Sequence, residues 1–116
     1  PRPKAWSYAL ARLQGRTDAP LVVVYCPLVP ALDGGRVRTD NPEADCVAAF
    51  ARTCAELGIG FIDMTPDFVD LFTSRRRLPR GFPTTIPGYG HLNPQGHARI
   101  AARTYDYLER HGLLPD

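Results

Sequence analysis

The run Leu21-Val22-Val23-Val24-Tyr25-Cys26 restricts the fold more than any other stretch of this chain. It is continuous, apolar and rich in β-branched residues, the pattern of a strand buried on both faces in a parallel sheet. Pro27 and Pro30 stop its ladder. A parallel strand needs a partner reached by a crossover, and Ile59 to Met64, apolar apart from Gly60 and Asp63, supplies one. Between the two, Asn41-Pro42 reads as an N-cap followed by a first-turn proline. Val47, Phe50, Cys54 and Leu57 then form the buried stripe of a helix closed by Gly58.

The flanks repeat this alternation. Trp6, Leu10 and Leu13 recur at three- and four-residue spacing in a helix from Pro3 to Gly15. Val29 to Asp40, with Asp33-Gly34-Gly35, reads as a loop or hairpin-like excursion at the carboxyl end of the first strand. Thr65-Pro66 repeats the cap-then-proline device for a short helix over Phe68, Leu71 and Phe72. Leu78 to Gly90 has several Pro and Gly and no period, hence a loop. Asn93-Pro94 opens a last helix with Ile100, Ala101, Tyr105 and Leu108 inward and Gly112 at its end. The order is that of an α/β fold with a parallel sheet.

Composition bounds function. A chain of 116 residues holds one small domain, so residues 1–116 are expected to form a single unit. The net charge of +2 is small and both signs are interspersed, which argues against nucleic acid as a partner. The longest apolar run falls far short of the ~20 residues of a membrane helix, so no membrane segment is expected in this chain. A chain opening on Pro1 rather than Met is expected to be cut from something longer. Three cysteines without a CxxC pair fit no zinc or redox motif, and Cys26, Cys46 and Cys54 are expected to be small, inert core residues. His91, His97 and His111 share no helical face, so no metal or other cofactor is implied.

The chemistry concentrates in Gly88-Tyr89-Gly90-His91-Leu92-Asn93-Pro94-Gln95-Gly96-His97. A glycine-rich loop two residues before a helix cap can hold an imidazole at the ligand-binding edge of an α/β sheet, a suitable station for a general base. This segment resembles the histidine block of the SGNH hydrolases, the GDSL-type esterases and acyltransferases. The likeness extends to Tyr25-Cys26-Pro27, to Phe61 through Pro66 and to Arg80 through His97. It implies a flavodoxin-like three-layer α/β/α fold with a parallel sheet, of which only the C-terminal part is present.

The resemblance further implies that His91 is the catalytic base of a serine-dependent hydrolysis or transfer of a small acyl ester, with acetyl on a carbohydrate as the expected substrate. Asn93 and Pro94 would cap the final helix, and His97 would take a packing position on its first turn. The family's serine turn is absent: Ser7 lies in the first helix and Ser74 precedes Arg75-Arg76-Arg77. The nucleophile is therefore expected in the N-terminal remainder of the domain, and these residues alone are expected to be inactive. The usual acid stands three residues before the histidine, where this chain has Gly88. A loop carbonyl, Asp63 or Asp67 could orient the imidazole instead, with Asp63 the better carboxylate, although shaping the turn at Thr65 suits Asp63 equally well. Tyr89 and Phe82 could line an acyl or sugar pocket or simply anchor the loop. Arg75-Arg76-Arg77 with Arg80 reads as a solvated helix end or as a recruiter of anionic substrate. The competing reading is a non-catalytic SGNH-like carbohydrate-binding or scaffold module, supported by Gly88.

Overall fold

The computed structural model describes residues 3–82, 84 and 86–116; Pro1, together with Pro83 and Thr85 of the expected loop, lies outside the described residues. The elements are α1 (Pro3–Gln14), β1 (Val22–Tyr25), β2 (Ala31–Asp33), β3 (Arg36–Arg38), α2 (Ala44–Glu56), β4 (Gly60–Asp63), α3 (Thr65–Arg75) and α4 (Pro94–Arg110). The chain is thus mixed α/β, with β1 and β4 paired in a small parallel sheet and β2 and β3 in an antiparallel one. Its residues gather in two compact units, the chain up to Val24 with Pro42–Ile62, and Tyr25–Asn41 with Asp63–Asp116.

The first unit is held by apolar packing. Leu10 of α1, Cys54 of α2 and Ile59 form its buried centre, with Leu21, Val23, Phe50, Leu57 and Phe61 packed against it. Trp6 meets Phe50 edge-on at 5.1 Å between ring centres, and Phe50 meets Phe61 at 5.8 Å. Gln14 fastens the end of α1 by donating from Nε2 to the Leu57 carbonyl at 2.6 Å. Gly58 ends α2 with φ of +72°, a conformation that costs glycine nothing.

Several expectations are corrected in this unit. β1 is half-buried along its length rather than enclosed, because a strand in a two-stranded sheet has one edge and part of each face uncovered. Leu13 is exposed, one turn beyond the stripe that Trp6 and Leu10 define. Cys46 is exposed while Cys54 is fully buried. α2 starts at Ala44 after Glu43, and Asn41, expected as its cap, donates from Nδ2 to the Tyr25 hydroxyl at 3.0 Å within the second unit.

The second unit relies more on directional bonds. Val29, Met64, Phe68 and Leu71 are buried, as are Pro27, Pro30 and Pro79, so three prolines that read as punctuation are core residues. The excursion after β1 is a hairpin: Gly34 and Gly35 both have positive φ, +59° and +78°, as a two-residue type I′ turn requires. Met64, not Thr65, precedes α3, and Pro66 sits in its first turn. Asp63 Oδ1 accepts from the Thr65 N–H at 2.9 Å and from the Thr65 hydroxyl at 2.6 Å, so the acid rather than the threonine shapes this start. Two ion pairs join α3 to α4, Arg99–Asp70 at 2.8 Å and Arg103–Asp67 at 2.6 Å.

α4 begins as its sequence predicts, with Asn93 as N-cap and Pro94 next. Its inward stripe is rotated from the expected one. Ala101 and Tyr105 face solvent, whereas Ile100 and Leu108 are half-buried as expected, and Gly96, Arg103 and Tyr107 join the more buried side. Gly96 sets this rotation, since a Cβ there would lie closer to the Pro79 carbonyl oxygen than atoms can approach. His97, expected to pack, is exposed; its neighbour Gly96 occupies the packing position.

Candidate functional site

The histidine loop is closed at its base by backbone bonds. Asn93 N–H donates to Pro79 O at 2.9 Å, Gly81 N–H to His91 O at 2.9 Å and Gly88 N–H to Arg80 O at 3.0 Å, and Arg80 and Leu92 form an antiparallel bridge. Glycine is required at two points of this closure. At Gly81, φ is +89° and a Cβ would lie 2.7 Å from Ile86 O; at Gly88, φ is +76° and a Cβ would lie 3.0 Å from a Leu78 methyl.

Two side chains complete the frame. Asn93, only 7% exposed, donates from Nδ2 to Leu78 O at 2.7 Å and to Gly81 O at 2.9 Å, while its Oδ1 accepts from Gly96 N–H at 3.0 Å. Both amide hydrogens and one oxygen lone pair are thus used, and one residue ties both strands of the loop base to the first turn of α4. Arg80 donates from Nε to Pro27 O, from Nη2 to Cys26 O and from Nη1 to Gly90 O, at 3.2, 3.1 and 3.1 Å. It therefore connects the segment leaving β1 to the residue before His91. Read from the sequence as part of a solvated helix end or a recruiter of anionic substrate, Arg80 here holds three backbone carbonyls of the frame.

On this frame the His91 ring is exposed, and among the described residues it makes no side-chain hydrogen bond or ion pair. Both candidate carboxylates have other partners. Asp63 is engaged by Thr65, and Asp67 by Arg103. Ser74, exposed on the last turn of α3, donates its hydroxyl to Asp70, and Ser7 lies within α1.

Two grooves flank the loop. Leu28, Ala31, Leu32, Arg38, Arg80 and Tyr89 contribute to one of about 590 Å³. Arg76, Arg77, Leu78, Arg80, Phe82 and Gln95 contribute to the other, of about 490 Å³. Tyr89, 74% exposed, and Phe82, 41% exposed, therefore belong to different grooves rather than one pocket, and Arg80 lies at the wall of both.

Burial pushes the Cys26 thiol above its ordinary range, with Arg80 partly opposing it, and burial raises Cys54 in the same sense. Both shifts disfavour thiolate and fit the inert role expected of them. Among the described residues no three His, Cys, Asp or Glu side chains gather as metal ligands, and no helix is long and apolar enough to cross a membrane. No family model, curated protein or solved structure matches the chain.

The sequence pointed to Asn93 as a helix cap but not as a loop clamp, and it gave Gly96 no role. Gly96 stands three residues after the cap, within the first turn of α4, a place where a helix-weakening residue signals close approach of another backbone.

Proposed function

We propose that this chain is the C-terminal part of an SGNH-type α/β/α domain and supplies its general base, His91, for serine-dependent hydrolysis or transfer of a small acyl ester such as acetyl on a carbohydrate. The supporting observation is the contrast at one residue: the His91 ring is open to solvent while its carbonyl accepts from Gly81 and its neighbours are clamped by Arg80 and Asn93. A base must be reachable yet fixed, since misplacement of catalytic groups by about 1 Å is costly.

In this reading the serine, contributed by residues outside this chain, loses its hydroxyl proton to the imidazole as its oxygen attacks the ester carbonyl. The proton then passes to the departing alkoxide as the acyl-enzyme forms. Water or an acceptor hydroxyl gives its proton to His91 in the second half, and serine recovers it on release. In the full-length protein, His91→Ala should lower kcat/KM by about a hundredfold to ten-thousandfold and suppress labelling by a fluorophosphonate. Undiminished turnover and labelling would remove His91 from the reaction.

Gly88 favours a second reading. The resemblance places the acid at this position, yet the backbone there has φ of +76° and little room beside Leu78. An aspartate would be strained in that place. A loop kept without its acid is what a non-catalytic carbohydrate-binding or scaffold module would show. That reading predicts retention of an acetylated polysaccharide by full-length protein that neither reacts with the fluorophosphonate nor releases acetate.

A further inference from the structure

The groove of about 490 Å³ has arginines 76, 77 and 80 in its wall and no carboxylate among the described residues that line it. The acids of α3 are committed elsewhere. Asp67 pairs with Arg103, and Asp70 pairs with Arg99 and accepts from Ser74. Arg80 is held by three backbone carbonyls, which fix a guanidinium without cancelling its charge. Arg77 is exposed and has no ion pair among the described residues.

Arg76 is the informative member. It follows α3 with φ of +53°, the only described non-glycine residue with positive φ, donating its N–H to Phe72 O at 2.8 Å while Arg77 donates to Leu71 O at 3.4 Å. This is the helix-ending turn that glycine normally serves without strain. The guanidinium lies 5.1 Å above the Phe72 ring, which orients it. Neutralising the end of α3 does not need it, because Arg75 already occupies the last turn and acts on Asp70. A glycine would make the same turn without strain, so the turn by itself does not call for an arginine here.

We propose that this groove binds a dianionic, phosphate-type oxyanion carried on a small organic molecule, independently of any reaction at His91. Three arginines contribute to this one groove, and the guanidinium fork matches phosphate oxygens. Leu78 and Pro87 give the same groove apolar surface, which suits an aryl or alkyl group on the phosphate. The start of α4 at Pro94 and Gln95 adds potential of the same sign.

The test is an amide-shift titration of the full-length protein with phenyl phosphate, inorganic phosphate and benzoate. Phenyl phosphate should move the amides of Arg77, Leu78 and Gln95 and bind about tenfold more tightly than inorganic phosphate, from burial of its ring. Benzoate, with the ring but one charge, should bind more weakly than phenyl phosphate. Arg77→Gln and Arg76→Gly should each weaken phenyl phosphate binding about fivefold or more. Arg76→Gly should also leave the thermal midpoint unchanged or raised, which separates loss of binding from loss of folding. Unaltered affinity in both variants, shifts scattered over arginines elsewhere, or equal binding of benzoate would overturn the site. Sedimentation with phosphatidic acid vesicles, in the absence of shifts with phenyl phosphate, would overturn the small-molecule ligand in favour of a lipid headgroup.

Discussion

The two units are stabilised by different physics. In the first, Trp6, Phe50 and Phe61 form an aromatic row beside Leu10, Cys54 and Ile59. Such contacts are individually weak and insensitive to small changes of angle. In the second, backbone carbonyls from distant parts of the loop are collected by two side chains, Asn93 and Arg80. Hydrogen bonds are directional, and a buried group left without one costs about 1–3 kcal/mol. The first unit should therefore yield gradually to substitution and the second abruptly. His91 is carried by the abrupt one.

The largest effect should come from Asn93→Ala. It removes three bonds at once, leaving Leu78 O, Gly81 O and Gly96 N–H to find water, at a cost of about 3–5 kcal/mol. Urea unfolding would measure the loss, and hydrogen exchange at Gly81 should rise as the loop base opens. A loss below about 1 kcal/mol would break the contrast, since a single ordinary bond contributes that much.

Phe50→Leu in the first unit should cost less, about 1–2 kcal/mol, because a branched aliphatic chain refills much of the space between Trp6 and Phe61. The same urea experiment applies. A cost exceeding that of Asn93→Ala would invert the ranking of the two units.

The smallest effect belongs to Asp70. Its bonds to Arg99 and then Ser74 hold its carboxyl below the ordinary range. A carboxyl lowered on folding adds stability above its unfolded value, near 4, and loses it as pH falls through the folded value. The thermal midpoint of the parent should thus fall slightly more than that of Asp70→Asn between about pH 5 and pH 2. At this exposed pair the difference should shrink further in high salt. Parallel acid curves for the two proteins would show that the Arg99–Asp70 pair contributes nothing.

What the sequence made legible follows the range of the interactions. β1 and β4 could be read because apolar runs bounded by proline and glycine are local signals, as could the hairpin at Gly34-Gly35 and the cap at Asn93. The outward turn of Tyr105 could not be read, since it follows from Gly96 approaching Pro79, a contact between segments separated by the loop base. Arg80 looked like part of a surface charge cluster because its acceptors, Cys26 O and Pro27 O, lie more than fifty residues away. His91 was singled out through its neighbours in sequence, while the bonds that hold the backbone around it are found only through its neighbours in space.

The closed base of the histidine loop has a consequence for how such a chain can diverge. Bonds between residues 79 and 93 and between 81 and 91 complete the ring before the tip is reached. Substitutions at Phe82, which lines the groove of about 490 Å³, can therefore alter its bulk and polarity without changing those bonds. This separates the part of the loop free to explore new ligands from the part that must stay constant for the imidazole to keep its place, much as a handle stays fixed while its blade is exchanged.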